Sequence, residues 1–362
     1  MGFGILLPLL LAGGDSYTVS PGGDDGAPGT AERPFRTIQR AADRARAGDT
    51  ILVRAGVYPE KITLQRSGEE GRPITLRNHP GERPVVETRV LLQAREGHTR
   101  PIGWIVIEGL EIRNGWDGIK FYNAHHLVIR GNHIHDNPNQ GILGNGHHVA
   151  IEGNVIARNG LRKDNEKSNL EHGIYATGND FRIVNNVIHS NRAYGIQVAA
   201  YPFKEDSHAG PEFAGASRWL ISHNTIAFNR NRGAVVVWQE GARDCVIQNN
   251  VFYENAAEQG KGACHGVTFY SGPGHVVRNN VFFAPGRRAL EDAKGGVFAE
   301  SGNLEVDPSL EDPAKGDFRL RKGSPALDAG TGERPLESDH AGTARPQGAG
   351  HDIGAFERAV FP

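Results

Sequence analysis

The chain has 362 residues, with 40 Lys and Arg against 42 Asp and Glu and a formal charge of −2. So even a balance offers no basic field for a nucleic acid partner. Glycine is plentiful at 48 residues while aromatics make up 7%, a composition suited to short runs and tight bends.

The chain opens on GFGILLPLLLAGG. This apolar stretch is too short to span a bilayer. It reads as a secretory-signal-like leader over 1–15, although it lacks a basic n-region and a clear small-x-small cleavage site. Nothing later could cross a membrane, so a secreted, periplasmic or cell-surface location is expected. Asp24 and Asp25 lie among Gly and Pro and read as a turn rather than a cation loop. Over 34–46 the pattern is helical: Pro34 suits a first turn, Phe35, Ile38, Ala41, Ala42 and Ala45 form an apolar stripe, and Gly48 ends it. A short amphipathic helix here would cap the open end of whatever follows. Short strands are predicted at 51–53, 61–64, 74–76 and 85–91.

From 104 to 283 one pattern recurs. GIKFYNAHHLVIRGNHIHDN, GILGNGHHVAIEGNVIARN and GIYATGNDFRIVNNVIHSN are its clearest copies, and later ones close on RWLISHNTIAFN, CVIQNNVFYEN and VVRNNVFF. An Asn precedes each closing apolar run, at Asn132, Asn154, Asn186, Asn224, Asn250 and Asn280. A second Asn follows at Asn137, Asn159, Asn191, Asn229 and Asn255. Self-similarity at this period marks a repeat architecture. The runs are too short for helices, which excludes a helical solenoid, and too short for propeller blades. A single-domain parallel β-helix over 16–300 remains. Asn at a recurring turn tolerates the left-handed conformation, and its amide can bond the Asn one rung away. Alternate Ile, Val and Phe fill the interior. Cys245 and Cys264 stand at different places in successive units, which argues for two buried thiols over a disulfide. The tail, 301–362, is expected to pack along the solenoid or cap its last rung, with Asp352 and Glu357 structural.

GDTILVRAGVY, the GNxI-type units, FRLRKGSPALDAG and DIGAFE resemble secreted bacterial right-handed parallel β-helix proteins of the pectate-lyase-like superfamily, over nearly the whole chain. The resemblance implies an all-β, right-handed coil. It leaves function open, because that superfamily includes polysaccharide lyases, epimerases, hydrolases and non-enzymatic proteins.

Two insertions break the period, GLRKDNEKSNLE before His172 and YPFKEDSHAGPEFAGAS before Arg218. They occur in adjacent units and can wall one groove. Aligning the units on their opening Gly gives an outward column of Lys120, Leu143, Tyr175, Gln197, Val235 and Thr268. The next column is Tyr122, Asn145, Thr177, Ala199, Val237 and Tyr270. Asp117, Gln140, His172, Tyr194, Arg232 and His265 stand just before the Gly. A patch of Lys120, Tyr175, Gln197, His172 and Asp117 suits an acidic polysaccharide. A cation neutralises the uronate carboxylate, a base removes the C5 proton, and an acid protonates the leaving oxygen. Tyr175 is assigned as base or acid with His172 as partner, and Lys120 as a second base or a carboxylate neutraliser. Arg162 and Lys163 would grip substrate carboxylates. Asp117, Gln197 and His265 would bind substrate, and Trp238 and Tyr270 would extend a sugar-stacking platform.

The resemblance adds that β-helix lyases often pair a Lys or Arg base with calcium. Asp164, Asn169 and Glu171 are weak calcium candidates, with no loop signature behind them. The pairs His125–His126 and His147–His148 read as a duplicated polar turn rather than a transition-metal site. The expected function is thus a monomeric polysaccharide lyase acting by β-elimination on a uronate-containing glycan. A non-catalytic carbohydrate-binding or surface protein is the alternative of another class. A C5-epimerase lacks its DPHD-like motif here, and a glycoside hydrolase lacks a clustered carboxylate pair.

Overall fold

The computed structural model describes residues 13–97, 99–161, 170–200 and 215–359. The leader lies almost wholly outside them, as do the inserted residues Arg162, Lys163, Asp164, Asn169, Lys204, Glu205 and Asp206. Among the described residues, no helix is long and apolar enough to cross a membrane.

A coil wound from short parallel strands, with one long and one short stacked sheet, makes up the body of the chain. One turn runs through Ile119–Arg130 and then His133–His135, and the next through Ile142–Glu152 and Val155–Ala157. The two turns pair strand on strand, with one bulge between Phe121 and Ala124 that sets Tyr122 and Asn123 together opposite Asn145. Side chains alternate across each strand, so the inward ones stack into columns. Ile119, Ile142, Ile174, Ile196, Val235 and Val267 form one such column. Ile134, Ile156, Ile188, Ile226, Phe252 and Phe282 form another, and all are buried. Volumes compensate along a column. Gly144 stands beside Phe121 in register, and a methyl group there would lie 2.4 Å from the Phe121 ring.

The corners are held by side-chain ladders. Asn154 Oδ1 accepts both the backbone N–H and the side-chain amide of Asn132, each at 3.0 Å. The same pair of bonds continues through Asn186, Asn224, Asn250 and Asn280 to Asn303. Asn137, Asn159, Asn191, Asn229 and Asn255 repeat it at the next corner. The residue before each Asn of the first ladder takes a left-handed conformation. It is Gly131 (φ 62°) and Gly153 (φ 61°) in two turns and Asn185, His223, Asn249 and Asn279 in later ones. This is why the sequence repeats GN and NN.

A third ladder runs beside the opening strands. Asp117 Oδ1 accepts the backbone N–H of Gln140 at 3.4 Å. Gln140 Oε1 accepts the N–H of His172, and His172 Nδ1 accepts that of Tyr194 at 3.1 Å. Different side chains thus do one job, each offering a lone pair to the next turn.

The helix is shorter than expected, Ile38–Arg44, with Thr37 as its N-cap and Ile38, Ala41 and Ala42 buried. Asp25 accepts hydrogen bonds from Arg36 and Thr37, so it ties down the cap. Coil strands continue to Phe298–Ser301 and Leu304–Glu305. The tail then folds back along the outside. Leu310, Phe318, Leu320, Ala326, Ile353 and Ala355 pack on Val187, Ala227, Val251 and Val281. Within it the buried pair Arg345–Glu357 (2.9 Å) and the backbone bonds to Asp352 give both acids structural roles. Cys245 and Cys264 are free, buried thiols.

Two predictions follow from these ladders. Asn186→Ala orphans two buried donors of Asn154, each costing about 1–3 kcal/mol, so chemical denaturation should show a loss of at least ~2 kcal/mol. Burial, with the Arg232 charge nearby, pushes His172 down to about 3. Between that value and the ordinary 6.5, only the unfolded chain binds the proton, so stability rises with pH there and is lost as pH falls. Gln fills the same role at position 140. His172→Gln should therefore still fold, and its urea midpoint should fall less steeply than the parent's as pH drops from 6.5 toward 4.

Candidate functional site

The outward column begins as expected. Lys120, Leu143, Tyr175 and Gln197 are register partners in successive turns. At the next turn the alignment on Gly233 fails by one residue. Gln197 pairs with Val236, not Val235, and Ala199 pairs with Trp238, not Val237. The cause is local: the Ala234 N–H is shared between the carbonyls of His265 (2.8 Å) and Gly266 (3.1 Å), absorbing one extra residue. A one-residue slip exchanges faces, so Val235 and Val237 turn inward. Trp238 instead joins Tyr270 on the outer face, ring to ring at 4.9 Å and 62°, with 39% and 36% of their surfaces exposed. Trp238 and Tyr270 are thus brought together. From Lys120 to Thr268 the column rises five steps, about 24 Å at the usual strand spacing, but Val236 and Thr268 at its far end are buried, and there the outer surface is carried by Trp238 and Tyr270.

At its first end sits a charged cluster. Asp117 is fully buried, and its Oδ1 accepts from Asn139 Nδ2 at 2.6 Å. Its Oδ2 faces two cations, Arg89 Nη1 at 3.8 Å and Lys120 Nζ at 3.9 Å. Lys120 keeps about a fifth of its side chain exposed and lies 5.2 Å from the Tyr122 ring centre. One buried anion thus holds two cations, leaving a positive surplus beside the face. Sequence reading found Lys120 and Asp117 but missed Arg89, which precedes the short strand Val90–Leu92 outside the repeated units.

His172 is placed differently from its assignment as proton partner to Tyr175. Only 1% of it is exposed, and its Nδ1 lone pair is taken by Tyr194 N–H, which puts the proton of the neutral ring on Nε2. The Tyr175 ring meets it edge-on at 5.6 Å. His172 therefore supports Tyr175 and holds the corner; it has no lone pair left to receive a proton from it. His265 is likewise buried, edge-on to Phe282 at 6.1 Å, and burial pushes it down to about 4; it packs rather than facing outward. Gln197 stays half-buried beside Tyr175, and Glu171 is buried.

The histidine turn forms an aromatic stack. Trp104 lies on His126 at 4.0 Å and His126 on His148 at 4.9 Å. Among the described residues, the one convergence of three metal-ligating groups is elsewhere, at Glu111, His133 and His135. The sequence carried its signal in NHIHDN, where histidines two apart on a strand share a face.

Among known proteins, the chain is 28% identical to Uncharacterized protein YwoF of Bacillus subtilis (strain 168) over 265 residues, 67% of this chain and 57% of that one. It is 41% identical over 87 residues to Pectate lyase PEL9 of Emericella nidulans, 24% of this chain and 21% of that one. The chain thus spans less than two thirds of the length of either relative. In three dimensions it resembles the crystal structure of pectate lyase Pel9A, with a TM-score of 0.57 and 16% identity, covering 95% of this chain and 96% of that one. At that identity the likeness is one of fold. The family model described as Pel9A-like, right handed beta helix region matches residues 17–284. The chain belongs to this family of right-handed parallel β-helix proteins.

Proposed function

We propose that the protein is a polysaccharide lyase that cleaves a uronate-containing glycan by β-elimination. The observation that carries this reading is the pair of cations, Arg89 and Lys120, gathered on the buried Asp117 carboxylate at the head of a long outward face. In this reading Arg89 neutralises the substrate carboxylate, which lowers the cost of negative charge developing at C5. Lys120, once its own proton has passed to solvent, is assigned as the base that removes the C5 proton. The electron pair forms the C4–C5 double bond and expels the glycosidic oxygen at C4, which takes a proton from an acid. Tyr175, two turns along the same column, is assigned as that acid. Trp238 and Tyr270 bind sugars farther along. An extracellular site of action goes with this reading and rests on the apolar leader.

Calcium does not fit the described part of this face. A calcium site needs several oxygen ligands, whereas the buried carboxylate here already faces two cations.

The exposed Trp238–Tyr270 pair also favours a second reading, a non-catalytic carbohydrate-binding protein. Incubation with pectate, alginate, hyaluronan and glucuronan, followed by the ultraviolet absorbance of the unsaturated uronate, separates the two. A lyase raises the absorbance on at least one glycan, and Lys120→Ala should cut kcat by at least ~100-fold, with Trp238→Ala acting mainly on KM. No absorbance change on any of them, together with glycan binding that Trp238→Ala abolishes, would establish the binding protein instead.

A further inference from the structure

On another face of the coil, we propose that Glu111, His133 and His135 bind a divalent transition-metal ion of the zinc class. His133 and His135 flank the buried Ile134 on the strand His133–His135, so both rings point outward. Glu111, on the preceding turn, is the register partner of His133. The ligand atoms of all three lie within 4.8 Å of one another. His135 Nε2 and Glu111 Oε1 are 3.3 Å apart, close to the separation of about 3.4 Å that two ligands at zinc bond lengths of roughly 2.0–2.2 Å take at a tetrahedral angle. His133 is stacked on His135 at 3.9 Å and 28°, so it joins the ion by turning its ring out of that stack.

The surrounding bonds fix which nitrogen is available. His135 Nδ1 lies 2.6 Å from Asp136 Oδ2 and 3.2 Å from Arg158 Nη2; the shorter contact is to a carboxylate, which only accepts, and Arg158 Nη2 is closer to Asp136 at 2.8 Å, so the proton is placed on Nδ1. Arg158 clamps Asp136 through Nε at 2.9 Å and Nη2 at 2.8 Å. The Nε2 edge of His135 and Glu111 Oε1 face each other across 3.3 Å. A divalent cation placed there would take a donor atom from each. A carboxylate orienting the far nitrogen of a ligating imidazole is the usual support of a metal site. Two imidazoles and one carboxylate suit a late first-row divalent cation and not calcium, which prefers oxygen. Arg113 lies 3.3 Å from Glu111 Oε1 and is itself held by Glu87 at 3.0 Å. It shares the carboxylate with the ion and tempers its affinity.

The test is a titration of untagged protein with Co2+ and Zn2+, with Ca2+ as control. Co2+ is followed by its visible d–d absorption and Zn2+ by calorimetry. One ion per chain is expected, displaced from Co2+ by Zn2+ and unaffected by Ca2+. Glu111→Gln and His135→Ala should each abolish the Co2+ band. Asp136→Asn, which touches no ion, should weaken binding about 10–100-fold. His148→Ala, in the other histidine cluster, should leave binding intact. A band absent from the parent protein, or one that survives Glu111→Gln and His135→Ala together, overturns the proposal. Thermal melting of each variant separates lost binding from lost fold, and Glu111→Gln, nearly equal in volume, keeps the test available if His135→Ala does not fold.

Discussion

Each turn of this coil must find its backbone partners in the turns on either side, at the spacing of hydrogen-bonded strands. That single requirement fixes the rise per turn, and with it the distance between equivalent side chains. Buried polar groups are costly unless satisfied, so the corners, where strand pairing lapses, need another source of partners. The Asn columns supply it, each amide bonding both the next amide and a neighbouring backbone carbonyl, as Asn154 does with Asn186 and Ile129. Asp117, Gln140 and His172 do the same with unlike side chains, because all three present a lone pair at the same place.

This explains what was legible in the sequence. The Asn columns and the Ile columns repeat one residue type at one position, so spacing alone exposes them. The third ladder stayed hidden because its members share a function and not an identity. An Asp, a Gln and a His beside a groove look like chemistry until their backbone partners are seen. The slip at Gly233 was hidden for another reason. Gly233 looks like the opening glycine of every other unit, and only the shared Ala234 N–H shows that this unit carries an extra residue. Arg89 lay beyond reach because it stands before the repeats begin, yet the winding of the coil brings it to Lys120.

The same stacking creates and limits chemistry. It sets unlike side chains side by side in a straight line, which suits a linear polymer. It also draws polar side chains into the framework, as with His172 and Asp117. Asp117 does both, capping Gln140 while holding Arg89 and Lys120. A change at such a position alters the framework and the charge on the face together. Trp238 and Tyr270, which support no corner, are freer to vary.

The Asn ladder has a further consequence in its separations along the chain. Successive members are 22, 32, 38, 26, 30 and 23 residues apart, yet each contact is about the same length. The coil keeps its pitch while the chain between its marks shortens or lengthens by more than a dozen residues. Loops can therefore be gained, lost or exchanged at one corner without disturbing the next turn. A scaffold of this kind can change its surface by editing loops, while the columns that build it stay as they are.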